Sequence, residues 1–204
     1  TVAGELYLQN LDDISNRTDV IDRICRTPLM YAPHTERAYS DVDYMILGLI
    51  VEQVVGKRLD EYLQEGVYRR LGLERTGFRP LDIRTPPDLI AATELNGNTR
   101  DGNVGFGTRP DGSPVFIRTQ TIRGQVQDEK AFYTMSGVSG HAGLFSTADD
   151  LGVLLQLMSN EGMYQGREYF PADVQRRFLT PDGDSATYGL GWSCLLYTSP
   201  SPRD

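Results

Sequence analysis

The sequence predicts an α+β protein represented mainly by its helices, and three observations predict it. Apolar residues recur at helical spacing in several separate stretches, and one of them, Met45 to Val55, is apolar on nearly every face. Tyr188-Gly189-Leu190-Gly191-Trp192 reads as a strand beginning. No internal repeat runs through the chain. Mostly helix, ending as a sheet begins, describes the helical part of an α+β domain with an incomplete sheet.

The first helix is expected over Asp19 to Cys25, capped by Thr18 and stopped before Pro28, with Val20, Ile21 and Ile24 on one face. Pro33-His34-Thr35-Glu36 is a turn. It leads into Ala38-Tyr39-Ser40-Asp41-Val42-Asp43-Tyr44 and then a helix from about Val42 to Val55. That helix should be central and buried, and Gly56 stands where a left-handed residue ends it. A third helix, Leu59 to Arg70, carries Leu59, Tyr62, Leu63 and Val67 at helical spacing and closes at Leu71-Gly72-Leu73. Its Gly66 costs about 1 kcal/mol relative to alanine.

From 79 to 140 the chain is rich in Gly, Pro, Asn, Asp and Thr, with no long periodic segment. A loop region of this length is either a lid or cleft wall or a surface excursion. Order resumes at Gly143-Leu144-Phe145-Ser146-Thr147. Thr147 caps a helix that holds Asp149 and Asp150 in its first turn and runs through Met158 to a stop at Asn160-Glu161-Gly162. A last helix begins near Pro171 and covers Val174 to Phe178.

With 204 residues the chain is long enough for one domain with a core, or for part of a larger one. A net charge of −8 argues against a nucleic-acid or anionic-membrane surface. The longest apolar run is too short to span a bilayer. Two histidines and two cysteines, Cys25 and Cys194, without ligand spacing, give no metal or cofactor site. Thr1-Val2-Ala3-Gly4 reads as an entry in mid-protein, so residues 1–192 are expected to be an internal fragment of a domain. Residues 193–204 read as a non-native tail of the adapter read-through type, or else as a disordered Ser/Pro tail. Oligomeric state has no signal in the sequence.

The candidate chemistry lies in Tyr39 and Asp41, at the head of the apolar helix, where a rigid element holds a side chain best. Taken alone, Tyr39 reads equally as a packing tyrosine, with Ser40 and Asp41 as cap and first-turn residues. The order of motifs decides the reading. Tyr39-Ser40-Asp41 is followed by Leu47-Gly48-Leu49-Ile50-Val51-Glu52, Leu71-Gly72-Leu73, Thr76-Gly77-Phe78, Gly143-Leu144-Phe145-Ser146-Thr147 and Tyr188-Gly189-Leu190-Gly191-Trp192. In that order they resemble the class C β-lactamase-like branch of the serine β-lactamase/penicillin-binding-protein superfamily. Ala92 to Arg100, Gly124 to Phe132 and Ser139 to Phe145 are similar to its penicillin-binding protein 4B group of D-Ala-D-Ala carboxypeptidases.

The resemblance implies a β-lactamase/transpeptidase-like fold and an active-site serine hydrolase acting on D-Ala-D-Ala peptides, β-lactams or related amides and esters. It also implies a periplasmic or cell-surface location and a small-molecule or peptidoglycan-peptide substrate. In that family a serine of a Ser-x-x-Lys motif attacks the carbonyl, and Tyr39 matches the tyrosine that shares proton transfer with the lysine. Asp41 falls where many members have asparagine; it can accept but not donate, so it should grip the catalytic lysine and raise that lysine's pKa. Gln127 stands where a histidine is common and cannot titrate, which leaves Asp128 as a loop-ordering acceptor. His141 is expected to be a structural hydrogen-bonding residue or a cleft residue, and Glu94 and Arg100 to form a surface pair. No Ser-x-x-Lys or Lys/His-Thr-Gly occurs, the only lysines being Lys57 and Lys130. The chain by itself is therefore expected to be inactive. The other reading is a non-catalytic binding or scaffold protein of the same fold.

Overall fold

The computed structural model describes residues 17–36, 40–99, 112, 117–181 and 189–192. The chain divides into two compact units, Thr1–Ser146 and Thr147–Asp204.

In the first unit, α1 (Arg17–Arg26) starts one residue before the expected cap. Val20 is fully buried in a cluster with Met45 and Met135, and Ile24 packs against it, whereas Ile21 faces outward. Ile21 therefore does not share their face. Successive helical residues lie about 100° apart, and the cluster accepts only the stripe that contains positions 20 and 24.

Next comes α2 (Asp41–Val55), with Ser40 in extended conformation at its N-cap and left-handed Gly56 donating to Glu52 O at its end. Only Met45 and Gly48 of this helix are fully buried. Leu47, Ile50 and Val54 form an outward stripe, 54%, 51% and 80% exposed. The expectation of a helix buried all round is thus corrected. An apolar surface records a demand for cover, not which segment supplies it, and no described element of this unit covers that stripe.

The opposite side of α2 is well seated. Arg17 places one guanidinium nitrogen 2.8 Å from both carboxylate oxygens of Glu52, while its other terminal nitrogen donates to the carbonyls of Met135 and Val138. Glu52 in turn accepts the Leu59 N–H at 3.0 Å. One arginine–glutamate pair so ties the first helix, α2, the start of the next helix and the 135–138 turn. Gly140 meets α2 directly: a Cβ there would strike Tyr44 O, and one on Gly48 would come within 2.9 Å of Gly140 N. Only a pair of glycines allows this backbone-to-backbone approach.

The expected third helix is α3 (Leu59–Leu63), a π segment (Gln64–Tyr68) and α4 (Arg69–Leu71), closed by left-handed Gly72. Its span matches the sequence pattern. Its winding does not, because the segment around Gly66 adopts the wider turn that accommodates one surplus residue. Leu59, Phe78 and Val138 form a second cluster, with Val51 and Leu63 packed on it. Strands β1 (Gly77–Phe78) and, after the loop region, β4 (Leu144–Phe145) pair antiparallel, and Thr76 and Ser146 extend the pairing through their hydroxyls, 2.7 Å apart.

The 79–140 region contains β2 (Ala92–Glu94) paired with β3 (Ile122–Arg123), and a helix that periodicity did not announce, α5 (Glu129–Met135). Asp128 caps α5 by accepting the Ala131 N–H at 2.8 Å. Arg118, 6% exposed, braces the approach to it. Its guanidinium donates to Asn98 Oδ1 and to the carbonyls of Val126 and Gln127, and it lies 3.7 Å over the Phe132 ring. Fully buried Asn98 adds a second donor to Gln127 O. The partner expected for Glu94, Arg100, lies outside the described residues.

In the second unit, Thr147 caps α6 (Ala148–Ser159) through Asp150 N–H, as its sequence position predicts. A hairpin follows, β5 (Met163–Tyr164) and β6 (Arg167–Glu168), turned by Gln165 and Gly166, both at positive φ. Then α7 (Ala172–Leu179) starts after Pro171, and Gln175 donates to Met158 O on α6. Residues 189–192 form a turn closed by Gly189 N–H to Trp192 O, with Gly191 at positive φ, instead of the strand expected there. A left-handed glycine breaks the extended run. Tyr188 and the 193–204 tail lie outside the described residues.

Candidate active site

Tyr39 lies outside the described residues. Asp41 is the first residue of α2, where a carboxylate is favoured by the free N–H groups of the helix end. Its Oδ2 lies 2.9 Å from Lys130 Nζ, with the two side chains only 23% and 14% exposed. Among the described residues Asp41 thus pairs with Lys130, on the first turn of α5.

Lys130 also faces Asp128, whose Oδ2 is 3.7 Å from the ammonium. Asp128 Oδ1 accepts the Ala131 N–H and lies 2.8 Å from His141 Nε2. The other ring nitrogen, Nδ1, is 2.8 Å from Ser139 Oγ. In the neutral tautomer that satisfies both contacts, Nε2–H donates to Asp128 and the Ser139 hydroxyl donates to Nδ1. Burial pushes the Asp128 carboxyl up. The hydrogen bonds from His141 and Ala131 and the nearby charges of His141 and Lys130 outweigh it, holding the group at about 2. Asp128 orders the loop as an acceptor, and His141, with its side chain 4% exposed, is a hydrogen-bonding bridge.

Ser139 and His141 also line a groove of about 470 Å³, with Tyr44, Leu47, Val51 and Phe78 on its other walls. The arrangement is a row of polar groups, Asp41, Lys130, Asp128, His141 and Ser139, running from the head of α2 to the edge of an apolar groove. Asp41, Asp128 and His141 bring ligand atoms within 4.8 Å of one another. A cation could bridge the two carboxylates, and the Lys130 ammonium is the cation in contact with both.

Lys130 and Arg118 were not identified in the sequence. For Lys130 the sequence offered little: Asp128 and Glu129 suit a helix start, but the stretch after them is too short to show a period. Arg118 left no signal, since an arginine that binds carbonyl oxygens has no partner residue type to reveal it. Gln127 contributes its carbonyl to Arg118 and Asn98, a role its side chain does not disclose.

The family profile described as beta-lactamase matches residues 2–200. A protein of Escherichia coli (strain K12) named "Putative D-alanyl-D-alanine carboxypeptidase" is 51% identical over 191 residues, covering 94% of this chain and 41% of its own length. One of the same name from Salmonella gallinarum is 46% identical over 201 residues, 98% of this chain and 43% of its own. The chain thus spans less than half the length of these relatives. Among solved structures, a penicillin-binding protein from Bacillus halodurans superposes with a TM-score of 0.60 at 19% identity, over 94% of this chain and 50% of that one. A D-amino acid amidase from Ochrobactrum anthropi does so at 0.56 and 16%, over 97% and 55%. At such identities the likeness is one of fold. Together with the profile match along almost the whole chain and relatives near half identical, it makes this chain a member of the beta-lactamase family.

Proposed function

We propose that the chain is part of an active-site serine hydrolase that forms an acyl-enzyme with D-Ala-D-Ala peptides, β-lactams or related amides and esters. The observation that carries this reading is Asp41, held in an ion pair at the head of α2 beside the His141-lined groove, in a chain of this family. The names of its relatives support the same substrate class. In this reading Tyr39, directly before the cap of α2, takes the proton of a serine supplied from outside these residues and returns it to the leaving group. A phenol titrates near 10, and a neighbouring ammonium favours its phenolate. Asp41 orients the polar groups around it. A peptidoglycan substrate would place the protein in the periplasm or on the cell surface.

The 204 residues alone, holding no Ser-x-x-Lys, are expected to show no acylation. The test uses the full-length protein from the parent gene and a fluorescent penicillin. Covalent labelling that disappears when the motif serine is replaced supports the hydrolase. No labelling, with penicillin and D-Ala-D-Ala peptides bound reversibly, would favour the non-catalytic binding protein.

A further inference from the structure

The contact between Lys130 and Asp41 joins the head of α2 to the first turn of α5, two segments far apart in sequence, and both side chains are mostly enclosed. Asp128 faces the same ammonium, and its position is fixed independently by the Ala131 N–H and by His141. It cannot move toward or away from Lys130 without undoing the cap of α5. Below it, Arg118 and Asn98 hold the Gln127 carbonyl. Lys130 is therefore mounted on a braced helix end and meets Asp41 from it.

Charge sharpens the point. Asp41 and Asp128 have oxygens within 4.8 Å of each other, and one ammonium serves both. Without it, two carboxylates would share an enclosed site, an arrangement relieved only by protonation or by movement of one of them. With it, Asp41 is a fixed acceptor whose charge is already answered.

We propose that Lys130 is a positioning residue for Asp41: its ammonium cancels the Asp41 charge and holds that carboxylate in one orientation at the head of α2. The pair then offers the cleft an oriented, electrically quiet acceptor instead of an unneutralised anion. Only the catalytic consequence rests on the hydrolase reading above; the charge pairing stands on the geometry. Lys130 touches no reacting atom in this account and acts through Asp41.

Two measurements on the full-length protein test this. The first is the acylation rate with a penicillin between about pH 5 and 9 for Lys130→Met, Lys130→Arg, Asp41→Asn and the Asp41→Asn/Lys130→Met double variant. Lys130→Met should lose about tenfold or more at neutral pH and regain part of it on acidification, as Asp41 becomes neutral by protonation. Lys130→Arg should stay within about threefold of the unmodified protein. Adding Lys130→Met to Asp41→Asn should cost less than about twofold, since no charge remains at position 41 to cancel. An equal loss in both backgrounds, or none in either, overturns the proposal.

The second measurement is the stability of the same four variants by urea denaturation near neutral pH. The double variant should be less destabilised than the two single losses added together. Should the Met variant fail to fold, Lys130→Gln takes its place. If the unmodified protein is not acylated, the hydrolase reading falls. The urea cycle then decides alone: coupling between positions 41 and 130 supports the pairing, and strictly additive losses overturn it.

Discussion

At the scale of single residues, Asp128 contributes stability that acid removes. Its carboxyl is held at about 2, below the ordinary 3.8, so the folded state favours its ionised form. That contribution is complete above the unfolded value, fades as pH falls from about 4 toward 2 and is gone below both, about 2 kcal/mol in all. Asp128→Asn should therefore be less stable than the parent by about that amount near pH 6, and the gap should close only below about pH 2. Urea denaturation at a series of pH values reads both. A gap that stays constant with pH would mean that Asp128 contributes shape and not charge. Arg118 shows the opposite case, a cation braced by carbonyls and an aromatic ring.

At the scale of elements, the caps were the legible part of the sequence. Gly56, Thr147 and Pro171 announce their helix ends because capping is decided within a few residues of chain. The seven residues of α5 were hidden because they are too few for a period to emerge. The polar row was legible only in pieces. Asp41, Asp128 and His141 each drew notice for local reasons, while Lys130, which joins two of them, did so for none. An ion pair between segments far apart leaves no mark at either end. The same holds for Gly140 against Gly48, whose need for glycine comes from the facing backbone. Gly140→Ala should cost about 2–4 kcal/mol, since backbone and not a flexible side chain must yield. Thermal unfolding would check it, and an unchanged midpoint would show that the 139–141 turn lifts off α2 freely.

At the scale of the whole molecule, the fold class was readable because helical periodicity and turn residues survive without knowledge of the sheet. What covers each helix was not readable, and α2 shows why. Its composition is apolar all round, yet Leu47, Ile50 and Val54 face outward in this chain. An apolar stripe of this kind drives self-association when nothing else lies on it. Replacing Ile50 and Val54 by Gln should make the 204-residue chain less prone to associate. Light scattering against concentration would show this as a lower apparent mass than the parent. An equal mass at every concentration would mean that the stripe has no role in association.

The π segment Gln64–Tyr68 carries a consequence for chain length. A π turn is an α-helix with one residue too many, so the surplus is stored locally while α3 and α4 keep their own registers. Of all the positions between Leu59 and Leu71, this is where the chain can shorten by one residue at least cost. Losing Gly66 would let the hydrogen-bond ladder close into ordinary α geometry. The same loss inside α2 would rotate Glu52 away from Arg17 and Gly48 away from Gly140, undoing at one stroke the two contacts that seat that helix.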